Sequence, residues 1–374
     1  MKIEMLELRN WAPIVALLFL ALDARAGAFE PPTGPGESQG SVEAHWLAPF
    51  VLKTAYSVGQ HAEITFCWYD EEGNLIERLT GPHVFYNPGY VAERIGKTCV
   101  IHGTTGHWQL AIPNKGEEAR PGDSRFEAKG ELFIHQYFRS LKERMVDVYR
   151  SGNLVGTAGP FLRGFDDAEL FRNGCISLTT GRREPEAKRE VIVIGPDATI
   201  RLRQRCGEHD ISPFVVANGK GVLLEVDGRP RPPVEFHYIG ADGLNALLDL
   251  PANARCLCSD PLSDLVLFSI NGTTDEGFQM LHATTGAVLW EIKSPVRSYP
   301  STAIKTMIAG DKVLFLGMDL AAVNLKDGQL ESFWREKRNQ PMNGELFLMG
   351  NDVYVVCPSE FYKIDPSDLS KRHP

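Results

Sequence analysis

The side chains in this chain of 374 residues best equipped for metal binding or nucleophilic chemistry are ten His and seven Cys. His102 and His282 occupy matching places in two similar hexapeptides, Ile101-His-Gly-Thr-Thr-Gly106 and Leu281-His-Ala-Thr-Thr-Gly286, which points to a shared structural role at strand ends. No His-Glu-x-x-His and no clustered ligand spacing occurs, so a zinc-hydrolase reading has no motif to stand on. Cys256-Leu-Cys258 allows a strained disulfide, half of a soft-metal site, or two residues on one face of a strand. Without a further Cys or His at ligand spacing the last carries most weight. Cys67, Cys99 and Cys357 fall inside apolar strand patterns and read as small buried hydrophobes, while Cys175 and Cys206 flank one repeat and form a candidate pair. Gly36-Glu-Ser-Gln-Gly40 matches Gly-x-Ser-x-Gly but lies in a Pro- and Gly-rich stretch, without the strand and helix that make a nucleophile elbow. Phe165-Asp-Asp-Ala-Glu169 lacks the alternating ligands and central Gly of a calcium loop and reads as a solvated turn or helix start. Asn271-Gly-Thr273 is a glycosylation acceptor only in a eukaryotic source.

Two basic segments stand out because the formal net charge is -9, from 48 acidic and 39 basic residues. Lys293-Ser-Pro-Val-Arg-Ser-Tyr299 and Arg335-Glu-Lys-Arg-Asn-Gln340 follow successive Trp-containing strands at the same place in a repeat. They read as ordinary solvated loops or, alternatively, as a patch for a small anionic ligand or a protein partner, with Lys293, Arg297, Tyr299, Arg335, Lys337 and Arg338 as its members. The acidic balance argues against a nucleic-acid partner, which needs cations to displace phosphate counterions.

The elements that would position these groups are strands. Leu281-His-Ala-Thr-Thr-Gly286, Val323-Asn-Leu-Lys-Asp-Gly328 and Ile364-Asp-Pro-Ser-Asp-Leu369 start 42 and 41 residues apart, each after an apolar run and the first two before another. That is strand, tight turn, strand, repeated at the period of a four-stranded unit that cannot bury its own faces alone. Turns of the same kind end at residues 73, 106, 152, 197, 243, 286, 328 and 368, with gaps between 33 and 46 residues. Gly181 and Gly228 compete for membership, which leaves seven units as the alternative to eight. Leu141 to Tyr149 and Asp166 to Phe171 are the nearest approaches to helices, and 114–127 and 158–171 look like longer insertions.

These constraints predict an all-β fold, an eight-bladed β-propeller of four-stranded antiparallel sheets with seven blades as the alternative. Six residues follow Asp368, too few for a full outer strand, so the N-terminal segment within Val42 to Phe50 is expected to supply the last blade's outer strand and close the ring. Residues 1–26 read as a secretory signal peptide: Trp11 to Leu22 is apolar, basic residues precede it and Ala24-Arg25-Ala26 offers a cleavage site, while a dozen apolar residues is short of the roughly 20 a spanning helix needs. Residues 27–41 read as a flexible lead-in, and 42–374 as one propeller domain.

Units such as Gln279-Met-Leu-His-Ala-Thr-Thr-Gly-Ala-Val-Leu-Trp290 resemble the repeat of the quinoprotein-like (PQQ-like) β-propellers of exported bacterial proteins, over residues 265–370. His282 stands where that family usually has Asp, and Asp365 restores it. The resemblance implies structural roles for Gly106, Gly286 and Gly328 in the turns and for Trp290, Trp334 and Trp108 as wedges between blades. It also raises quinone-dependent dehydrogenase activity, whose alcohol-oxidising members carry adjacent cysteines and a calcium-binding Glu, Asn and Asp set. Here Leu257 separates the close cysteines and no matching acidic set is found. The expectation is an exported, periplasmic or extracellular, non-enzymatic binding or assembly scaffold, with no cofactor and PQQ not expected. The alternative is an oxidoreductase or hydrolase whose site is assembled from loops.

Overall fold

Lys312-Val-Leu-Phe-Leu316 shows why this sequence builds radially packed sheets. All five residues are buried. Val313 and Phe315 join the core on one side of their sheet and Leu314 and Leu316 the core on the other. A strand apolar on both faces must be covered on both, and stacking sheets around an axis achieves this.

The computed structural model describes residues 41–374 apart from short stretches in connections, the longest being 114–124, 181–189, 228–234, 298–303 and 336–343. Contacts group the chain into Val42–Ala55 with Glu63–Pro374, which holds nearly all of the described sheets, and Met1–Ser41 with Tyr56–Ala62, most of which lies outside the described residues. The signal-peptide and lead-in expectations fall there. Eight four-stranded antiparallel sheets follow one another in chain order, forming an eight-bladed β-propeller. Blades 1 to 8 cover residues 41–80, 84–113, 125–162, 165–205, 210–248, 254–293, 305–335 and 345–373. No α-helix occurs among the described residues.

All eight turn positions fall between the third and fourth strands of a blade. Gly181 and Gly228 belong instead to connections between second and third strands, on the opposite side of the ring, which is why the count is eight and not seven. The two helix candidates are strands, Glu143–Arg150 and Phe165–Leu170. In the first, Val146 and Val148 alternate into the core between blades 3 and 4, and a two-residue period with β-branched side chains outweighs helix propensity. The stretch 158–171 is therefore no insertion, and the acidic 165–169 segment is neither turn nor helix start but the first strand of blade 4.

Closure differs from the expectation. Ser41–Ala48 is the first strand of blade 1, and the short strand Arg372–His373 completes blade 8. A two-residue turn at Pro49-Phe50 lets the N-terminal strand pair with Val51–Val58, a much smaller loop to close than one spanning the whole ring. Among the described residues, seven apolar cores join successive blades. Between blades 8 and 1 lies an aromatic seam: Trp46 meets Phe361 edge-on at 4.8 Å, and Phe50 meets Phe361 at 5.1 Å and Tyr354 at 5.8 Å. The Trp46 N–H donates to the Pro358 carbonyl at 2.9 Å. Edge-on ring pairs each add about 0.5–1.5 kcal/mol beyond the area they bury, so the seam joins the ends without strand exchange.

Candidate functional site

First strands of neighbouring blades lie side by side, blade 3 with 4, 5 with 6, 6 with 7 and 7 with 8, so these edges converge on the ring axis and wall its central channel. The first strand of blade 3, Arg125–Lys129, sends Phe126 and Ala128 into the core toward blade 2. Alternation leaves Arg125, Glu127 and Lys129 on the other side, toward blade 4. There Glu127 Oε1 accepts the Leu170 N–H at 2.9 Å, a polar strut between adjacent inner strands. Burial pushes the Glu127 carboxyl up to about 7; the Leu170 N–H and Lys129 oppose that shift and neighbouring Glu169 adds to it. Glu169 is exposed, and desolvation raises its carboxyl too, against the pull of Lys129. On the facing side of the channel Lys305 pairs with Glu345, from the first strands of blades 7 and 8.

Cys256 and Cys258 lie in the first strand of blade 6, and the same-face expectation fails there. The ladder shifts between Cys256, opposite Phe268, and Cys258, opposite Leu267. The bulge breaks strict alternation, so Cys256 packs against the core shared with blade 5 while Leu257 and Cys258 pack toward blade 7. Side chains on opposite faces of one strand do not meet, which removes the disulfide and half-site readings together. Burial raises both thiols, Cys258 to about 11, although Thr306 Oγ1 at 3.5 Å lowers the latter. Cys67 is fully buried and Cys99 and Cys357 are half-buried in cores; the Cys175 pairing rests on Cys206, outside the described residues.

The basic segments divide. Arg297 forks onto Asp319 of blade 7, with Nε to Oδ2 at 2.8 Å and Nη2 to Oδ1 at 2.7 Å. Asp319 is wholly buried, so this bidentate pair ties the connection after blade 6 to the third strand of blade 7. Arg335 lies opposite Asp319 in the ladder, exposed, with its guanidinium 5.8 Å from the Phe333 ring centroid. Lys293 is exposed at the end of the equivalent strand of blade 6. Tyr299, Lys337 and Arg338 lie outside the described residues.

The repeat residues hold blades together. Trp290 donates its Nε1–H to the Leu325 carbonyl of blade 7 at 2.8 Å, and Trp108 likewise reaches the Gly130 carbonyl of blade 3 at 3.1 Å. Trp334 packs half-buried on the core between blades 7 and 8. Gly328 has φ 71°, and a Cβ there would sit 2.9 Å from the Trp290 ring, so glycine answers both the turn and the wedge. Gly286 has φ 69°, and Gly106 is outside the described residues. Asp365 accepts the Ser367 N–H at 2.8 Å, as Asn324 accepts that of Lys326. His282 occupies the same position but contacts Asp264 at 2.9 Å, whereas His102, buried, lies 3.0 Å from Glu77 of blade 1. Both histidines serve structure at strand ends, through different partners.

Polar groups of blades 3 and 4 went unnoticed in the sequence. Asp147, buried, accepts Thr157 Oγ1 at 2.6 Å, the Tyr137 hydroxyl at 3.3 Å and the Tyr149 hydroxyl at 3.4 Å, with His135 opposite it in the ladder. Among the described residues no three His, Cys, Asp or Glu side chains are grouped to hold a metal ion, and no helix is long and apolar enough to cross a membrane.

No protein-family model and no curated protein matches the chain. Among solved structures it is similar to apo AztD from Citrobacter koseri, at 11% identity and TM-score 0.42 over 80% of this chain and 95% of that one. It is similar to Sqt1 from Saccharomyces cerevisiae at 10% identity and TM-score 0.44, covering 87% and 95%. BamB from Moraxella catarrhalis gives 11% identity and TM-score 0.41, covering 87% and 97%.

Proposed function

We propose that the chain is an exported, quinoprotein-like propeller that works as a non-enzymatic binding or assembly scaffold, with its partner face on blades 6 and 7. The observation that carries this reading is the outer surface of those blades. Their fourth strands, Val288–Lys293 and Leu330–Arg335, expose Val288, Leu289, Leu330 and Phe333 to solvent. Arg335 sits over Phe333, and Lys293 stands at the matching strand end. Apolar anchors beside Arg and a basic margin fit a protein partner with an apolar patch and acidic rim. Outer strands also offer unpaired backbone groups for pairing with an extended segment.

The test is a pair of surface variants, Leu289→Glu and Phe333→Glu, expressed in the native host and compared with wild type by quantitative cross-linking. Loss of one specific cross-linked protein from both variants, with unchanged thermal unfolding, supports the reading. An identical cross-linking pattern in all three proteins refutes the assignment of this face.

A further inference from the structure

We propose that the outer edge of blade 8 is a strand-addition site for an extended segment of a partner protein, one in which a large apolar residue is followed by Lys or Arg. This site is separate from the outer face of blades 6 and 7 and does not depend on it. The third strand of blade 8, Glu360–Ile364, pairs with the fourth strand at Lys363 and Ile364, opposite His373 and Arg372. Among the described residues no strand stands opposite Glu360 and Phe361 on that edge. In blade 7 the fourth strand runs on to Arg335 opposite Asp319, and in blade 6 to Lys293 opposite Gly277. Cys357 and Glu360 face each other across a tight hairpin and exchange their backbone bonds, so alternation turns the N–H and C=O of Phe361 to the open edge. An edge left open in this way offers its donors and acceptors to a new strand.

The repeat gives the chemistry of the occupant. Asp365, Asn324 and His282 hold matching places, so counting back along each third strand aligns Phe361 with Leu320 and Phe278, and Glu360 with Asp319 and Gly277. Opposite Leu320 and Phe278 stand Trp334 and Ile292, and opposite Asp319 and Gly277 stand Arg335 and Lys293. Among the described residues blade 8 has neither counterpart. Phe361 turns toward blade 1, where its half-buried ring meets Trp46 at 4.8 Å, while Tyr362 and Ile364 pack toward blade 7. A side chain added opposite Phe361 takes the direction of Phe361, as Trp334 follows Leu320 toward blade 8, so an apolar one closes over this ring. Glu360 is exposed, and Lys363 of the same strand points the other way and pairs with Asp352 at 2.7 Å. A Lys or Arg opposite Glu360 therefore gains a cross-strand ion pair, and an acid there meets a like charge.

The experiment is backbone hydrogen exchange of the full chain titrated with the blocked peptide acetyl-Phe-Trp-Arg-Thr-Thr-amide, which carries the order of Phe333-Trp334-Arg335. The Phe361 amide should exchange rapidly in the free chain and slow as the peptide is added. The same peptide with alternate backbone amides N-methylated keeps its side chains but loses strand donors, and it should give no protection. Replacing its Arg by Glu should weaken binding about fivefold, the size of a reversed cross-strand ion pair, and Glu360→Lys should invert that preference. Slow exchange at Phe361 in the free chain, absence of protection there, equal binding of the N-methylated peptide, or a preference for Arg that survives Glu360→Lys would each overturn the site. Should Glu360→Lys not fold, the three peptides on the wild-type chain decide alone.

Discussion

Blades 6 and 7 and blades 3 and 4 solve the same packing problem with different chemistry. Between blades 6 and 7 the interior is Phe278 against Phe315, edge-on at 4.8 Å, with Met280, Val313 and Val323 around them. The buried charges there have dedicated partners, Asp319 with Arg297 and Lys312 with Glu331. Blades 3 and 4 bury His135, Gln136, Arg144, Asp147, Ser177 and Thr179, and add Glu127 at their inner seam. Apolar cores tolerate repetition of one short motif, because volume and alternation suffice. Polar interiors require each donor to find its own acceptor, so their sequences diverge from the repeat.

The contrast can be broken most severely in the apolar region. Phe315→Ala should cost about 3–5 kcal/mol in urea unfolding, because the core between blades 6 and 7 has no side chain able to fill the space. A cost below 1 kcal/mol would mean that this core is plastic.

The polar region should instead respond to pH. Glu127 is raised to about 7 from an ordinary 4.5, so the folded protein holds a proton that the unfolded chain releases. Its contribution is fully present below pH 4.5 and is lost as pH rises through 7, by about 3 kcal/mol over the whole interval. Glu127→Gln keeps an acceptor for the Leu170 N–H and cannot ionise. Unfolding measured at pH 5 and 8 should therefore show a smaller fall in stability for the variant than for wild type, and an equal fall would remove Glu127 from the account.

Smaller effects sharpen the comparison. Gly328→Ala forces a Cβ into the Trp290 ring at positive φ and should cost about 2 kcal/mol, read by denaturant midpoint. Within the Asp147 network, Thr157→Val should cost about 2 kcal/mol and Tyr137→Phe about 1, following their 2.6 and 3.3 Å contacts. The reverse order would mean that distance does not rank these bonds.

How much of this was legible follows from the same division. The turns at 286, 328 and 368 announce themselves because each follows an apolar run, and the other five share their place between third and fourth strands. Ring closure was not legible: the number of residues after Asp368 says nothing of the hairpin that claims Ser41–Ala48 for blade 1. The bulge at Cys256 and Cys258 was invisible because register depends on the partner strand. Glu127 closed the stretch read as an insertion, 114–127, although it lies within a strand, and Ser177 was not singled out. Their significance comes from which edge faces the channel and which residue lies opposite, and neither is written locally. Arg297 read as part of a solvated loop or of a ligand or partner patch, and Asp319, its partner 22 residues on, was not singled out.

The most direct test of the scaffold reading is native mass spectrometry of the protein purified from its own host, with metal and quinone assays on the same sample. The account predicts the mass of the mature chain without a bound cofactor, together with a stoichiometric protein complex that Phe333→Glu abolishes. A stoichiometric quinone or metal, with no protein partner, would contradict it.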